Sequence, residues 1–131
     1  MTYLPPFESL KSYFTLTNFR GKLTATAPFD EVRRMISALL AGVHVDEEWY
    51  LERNPDIARG VRDGIVKSGK EHFINNGYFE GRMPFRIQVD EEWYLEQYPE
   101  VAEAIRGGVM DSAQQHFEEH GYKEGRRPGP A

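Results

Sequence analysis

Cysteine is absent from this 131-residue chain, which excludes disulfides, thiolate nucleophiles and cysteine-ligated zinc or iron-sulfur sites. Its stability has to come from packing. No apolar run approaches the ~18 residues that a bilayer span needs, and the first residues lack the basic-then-apolar order of a signal peptide. The expectation is therefore a cytoplasmic chain without a membrane span. Basic blocks are missing as well. With a formal charge of -5 and a pI near 5.4, the chain as a whole repels polyanions, which argues against nucleic acid and anionic membranes as partners. There is no glycine-rich phosphate loop and no nucleophile with an organised base, so no enzyme activity and no cofactor are expected. What is present suffices for one packed domain, with 40% hydrophobic and 13% aromatic residues.

The chain repeats itself. Shifted by 44 positions, Val45 to Pro84 superposes on Val89 to Pro128 without a gap, and 21 of the 40 positions are identical; average composition gives about two or three such matches. A period of this length is typical of helical hairpins that bury their apolar faces against one another. The fold expected is mainly α: two tandem helical repeats, 45–88 and 89–128, stacked as one domain. An N-terminal segment precedes them over 1–44, and a tail follows over 129–131.

Local signals divide each repeat into three helices. Asp46 and Asp90 are N-cap candidates ahead of Glu-Glu, and they open short helices that carry Trp49 and Trp93. Pro55 and Pro99 start the second helices, and Gly64 and Gly108 end them. Ser68 and Ser112, with Glu71 and Gln115 three residues on, predict reciprocal capping boxes for the third. Gly77 and Gly121 are expected to end that helix in the left-handed conformation, which would pack Tyr78 on Phe73 and Tyr122 on Phe117. In the N-terminal segment, Asp30 is expected to cap a helix over 30–41 that packs on the first repeat, with Val32, Met35, Ile36 and Leu39 on one face and Gly42 as its stop. A short amphipathic helix over Phe7 to Phe14 and a hairpin turning at Arg20-Gly21 are expected upstream. The closing RRPGPA reads as a frayed end.

The strings VDEEWYLEQYPEVAEAI and SAQQHFEEHGYKEGRRP resemble a tandem helical repeat found in bacterial proteins, often beside glycosyltransferase or polysaccharide-biosynthesis domains. The resemblance covers residues 45–128. It implies an accessory or scaffolding module and no activity of the repeat itself.

Several residues invite chemistry. His116, Glu119 and His120 form an H-x-x-E-H pattern, which would suit a metal-dependent hydrolase. The first copy carries only His72 of that set, with Asn75 and Asn76 in place of the others, and Glu124 is the single acid downstream. No metal site is therefore expected, and His72 and His116 are read as structural, each donating to a backbone carbonyl. Glu80 with Arg82, and Glu124 with Arg126, offer planar forks for an anion. The reading favoured is that each arginine pairs with an acidic first turn, Asp46 to Glu48 or Asp90 to Glu92, and keeps successive units in register. Trp49 and Trp93 suit the seam between units, with a sugar-stacking platform as the alternative.

The function expected is a non-catalytic adaptor or scaffold that binds a protein partner, with a second copy of the chain among the candidates. The alternative is a glycan-binding accessory of polysaccharide biosynthesis. Its interaction face would lie where the copies differ: Arg59, Arg62, Lys67 and Lys70 against Glu103, Arg106, Asp111 and Gln114.

Overall fold

The computed structural model describes residues 3–131; Met1 and Thr2 of the N-terminal segment lie outside the described residues. The chain is mainly helical with one antiparallel hairpin. Helix α1 (Phe7–Leu10) runs into a 3-10 turn over Lys11–Tyr13. Strands β1 (Thr15–Phe19) and β2 (Lys22–Thr26) then pair with Thr17 opposite Thr24. Their two-residue turn has positive φ at both Arg20 and Gly21, the backbone that matches the right-handed twist of a hairpin. All ten strand residues are exposed.

Helix α2 (Phe29–Leu40) begins one residue before the expected position. Asp30 lies in its first turn and does not cap it. Pro28 occupies the cap, and its fixed φ presets the start. The helix packs on the first repeat as expected: Ile36 joins that repeat's core, Ser37 Oγ donates to the Ile74 carbonyl at 3.0 Å, and the Arg33 guanidinium stands over the Phe79 ring. Gly42 does not turn left-handed. A Cβ there would meet the Tyr3 carbonyl oxygen at 2.5 Å.

Each repeat contributes three helices, α3 (Glu47–Arg53), α4 (Pro55–Arg62) and α5 (Gly69–His72), then α6 (Glu91–Gln97), α7 (Pro99–Arg106) and α8 (Ala113–His116). Asp46 and Asp90 accept from the backbone N–H of Trp49 and Trp93 at 3.1 Å. Gly64 and Gly108 adopt the left-handed conformation and close α4 and α7 in Schellman motifs, with Ile65 N–H on the Gly60 carbonyl and Val109 N–H on that of Ala104. Ser68 and Ser112 cap α5 and α8, but the return bond of the expected box is made in neither copy. Gln115 Oε1 accepts from Asp111 N–H at 2.8 Å.

The ends of α5 and α8 depart from expectation. Both run on through π turns, Phe73–Gly77 and Phe117–Gly121, in which Tyr78 and Tyr122 donate to carbonyls five residues back. The left-handed glycines are Gly81 and Gly125, four residues beyond Gly77 and Gly121. The Schellman motif belongs to them, with Arg82 N–H on the Gly77 carbonyl and Arg126 N–H on that of Gly121. Each unit then closes on its own beginning, because Asp46 N–H donates to the Pro84 carbonyl at 3.0 Å and Asp90 N–H to that of Pro128 at 2.9 Å. The RRPGPA segment is thus held through Pro128 and is not a frayed end from its first residue.

Two apolar clusters result. One gathers Leu40, Val45, Tyr50, Ile57 and Phe73; the other gathers Val89, Tyr94, Val101, Ala113, Phe117 and, from the first repeat, Met83. Trp49 packs against both. Beside it Arg53 Nη1 meets Glu118 Oε1 at 2.7 Å.

Candidate functional site

In each unit a tyrosine and a histidine shared by the two repeats meet. Tyr50 and Tyr94 are fully buried, one turn into α3 and α6, and their hydroxyls stand 2.8 Å from Nδ1 of His72 and His116. Burial pushes both phenols up to about 12 and pulls both histidines below their ordinary value, so at neutral pH the phenol is protonated and the imidazole neutral. The imidazole tautomer sets which of the two donates. In the first copy Nε2 faces Glu80 Oε1 at 3.9 Å, which fits the proton on that nitrogen. The partner of each histidine is a tyrosine hydroxyl, in place of the backbone carbonyl expected.

Arg82 also has a different partner from the one expected. The turn at Gly81 sends it to the first turn of α4 in its own unit, where Nη1 and Nη2 engage Asp56 at 3.1 and 3.0 Å, Nη1 reaches Asn54 Oδ1 at 2.8 Å and Nε pairs with Glu80 at 2.8 Å. Arg126 repeats this with Glu100 and Glu124, its guanidinium over the Tyr98 ring. The hydrogen bond from the arginine holds the Asp56 and Glu100 carboxyls below their ordinary range. Each arginine is thus bonded within its own unit, Arg82 through all three nitrogens and Arg126 through Nε and Nη1.

The H-x-x-E-H pattern does not assemble into a metal centre. His116 Nδ1 is taken by Tyr94, His120 points its Nε2 at Glu119 from 3.9 Å, and among the described residues no three His, Asp or Glu side chains converge as ligands. Trp49 and Trp93 are half-buried. Trp49 fills the region between the two clusters beside the Arg53 guanidinium, while Trp93 meets Tyr98 edge to face.

The surface residues divide. Arg59, Arg62, Lys67, Glu103, Arg106 and Asp111 are exposed, and Lys70 is half-buried. Gln114 does not belong with them. It bridges inward, accepting from Val89 N–H at 2.9 Å and donating to the Ile87 carbonyl at 2.8 Å and to Glu118 at 2.6 Å. Arg59 and Arg62 border an open groove of about 460 Å³ floored by Leu51, Pro55 and Ala58, with Glu48 and Glu52 on its other rim.

Sequence reasoning missed Glu47. Its carboxylate crosses to α5 and accepts from the N–H groups of Gly69 and Lys70 at 2.6 and 3.0 Å. The signal was the Glu-Glu pair after each cap, read only as first-turn charge. No helix among the described residues is long and apolar enough to cross a membrane. Comparison with family models, curated proteins and solved structures finds no match to this chain.

Proposed function

We propose that the chain is a non-catalytic interaction module, an adaptor or scaffold in which two stacked helical units present a charged face to a partner protein. One observation carries the reading. The tyrosine-histidine pairs, the arginine locks and the caps common to both units are engaged in internal bonds, whereas two matched exposed positions differ in charge, Arg59 against Glu103 and Lys67 against Asp111, beside exposed charges that both units share, Glu48, Glu52 and Arg62. The groove of the first unit, apolar on its floor and ringed by Arg59, Arg62, Glu48 and Glu52, has the composition of a protein-docking site, with an apolar centre and a charged rim. The resemblance to repeats that accompany polysaccharide-building enzymes directs the search for the partner to such proteins.

Affinity capture of the tagged chain from cell extract tests this, run beside an Arg59→Glu/Arg62→Glu variant whose melting temperature is matched. A stoichiometric partner retained by the parent chain, lost by the variant and weakened at about 0.5 M salt is expected. A partner that the variant retains equally well at high salt would rule out the charged face.

A further inference from the structure

The N-terminal hairpin is the least covered part of the molecule, and its chemistry contrasts with that of the second repeat. A two-stranded hairpin is marginal in water by itself, yet every strand residue here is exposed, with Phe19 at 64% and Leu23 at 73%. Between Ser9 and Phe29 the chain has no acid and carries Lys11, Arg20 and Lys22. The register places Phe19 with Lys22 on one face of the tip and Leu23 with Asn18 on the other, and Arg20 stands over the Phe19 ring.

The complementary surface lies on α6 and α7. The 44-residue register places Leu95, Pro99 and Ala102 where Leu51, Pro55 and Ala58 floor the groove of the first unit, with the same burial at each matched position. The rim differs. Glu92, Glu96 and Arg106 match Glu48, Glu52 and Arg62, all of them exposed, and the one change is that Glu103 replaces Arg59. Residues 89–128 hold ten acids against four bases. Three acids and one base on this rim, against two and two on that of the first unit, make it the face a cationic tip favours.

We propose that the hairpin of one copy docks on the α6–α7 face of a second copy, so that the chain associates head to tail. The contact joins two different surfaces and does not close on itself, so association extends with concentration into open chains. A hairpin tip covers less area than a stable dimer needs; the association is accordingly weak and sensitive to salt. It rests on the reading of the chain as an interaction module, but it uses surfaces separate from the Arg59 and Arg62 face.

Sedimentation velocity of the full chain over a wide concentration range tests the proposal. The expected result is a mass that rises with concentration at low salt and falls back to that of the monomer at about 0.5 M salt. Two charge-reversed chains follow, Arg20→Glu/Lys22→Glu and Glu92→Lys/Glu96→Lys/Glu103→Lys; all five positions are exposed, and unchanged melting temperatures confirm folding. Each alone should stay monomeric, with association weakened at least about tenfold, and an equimolar mixture should associate again because opposite charges then face each other. A parent chain that is monomeric throughout, a reversed chain that associates as the parent does, or a mixture that stays monomeric overturns the proposal. So does a monomeric chain that sediments with phosphatidylserine-phosphatidylcholine vesicles through Arg20 and Lys22. Failure here is distinguishable from failure of the interaction module, since Arg59→Glu/Arg62→Glu removes the partner protein while leaving the α6–α7 face, and with it self-association, in place.

Discussion

A Cβ at position 77 would overlap the Tyr50 hydroxyl oxygen, and one at 121 that of Tyr94. Both glycines make room for the tyrosine-histidine pair, and neither has positive φ. Gly77→Ala should cost about 1–3 kcal/mol by overpacking, and Tyr50→Phe a similar ~1–3 kcal/mol by leaving His72 Nδ1 without its partner. Combined, they should cost clearly less than their sum, because removing the oxygen removes the clash; additive urea-unfolding free energies would refute this. The histidines add a pH dependence. Burial, followed by the Arg82 charge at His72 and the Arg126 charge at His116, lowers both folded values, while Glu80 and Glu124 oppose it. The unfolded chain then takes up protons first, so this stability is full above the ordinary value near 6.5 and is lost as pH falls below it towards the folded values. Urea midpoints should drop between about pH 7.5 and 5, and His72→Gln/His116→Gln should flatten that drop.

Among the elements, α5 and α8 show how one methyl group redirects a cap. Gly69 opens α5, and a Cβ there would stand 2.8 Å from Glu47 Oε2, so the carboxylate reaches two backbone N–H groups only because the side chain is missing. The second copy has Ala113 at this place, and Glu91 accepts from Gln114 N–H alone, at 3.1 Å. Glu47→Ala should therefore destabilise more than Glu91→Ala, by about 1 kcal/mol, the worth of one further hydrogen bond to a charged group. Gly69→Ala should be destabilising despite the ~0.5–1 kcal/mol that alanine gains in helix propensity, and should cease to be so once Glu47 is alanine. Chemical denaturation of the four variants decides it, and a Gly69→Ala cost unaffected by Glu47 would show that Tyr50, 3.0 Å from the same Cβ, sets the limit instead.

Across the whole molecule, the contacts between the units include Trp49, Met83, the Arg53–Glu118 pair and the Lys123 stem beside Gly81. Trp49→Ala removes a side chain that touches both clusters and should cost about 3 kcal/mol. It should also separate unfolding into two steps, with Trp93 reporting the second unit by fluorescence. Trp93→Ala touches one cluster and should keep a single transition. One coincident transition for both variants would show that cooperativity has another source. The sequence by itself determined the duplication, the N-caps at Asp46, Asp90, Ser68 and Ser112, the stops at Gly64 and Gly108, the hairpin turn and the packing of α2 on the first unit. These follow from rules that act within a turn or from apolar periodicity. Only the tertiary structure decided that Tyr50 meets His72 from 22 residues away, that Arg82 locks Asp56 from 26 residues away, and that Met83 of the first repeat lies in the core of the second. Helices this short are held by what they pack against, and which residues meet depends on how each unit folds back on itself.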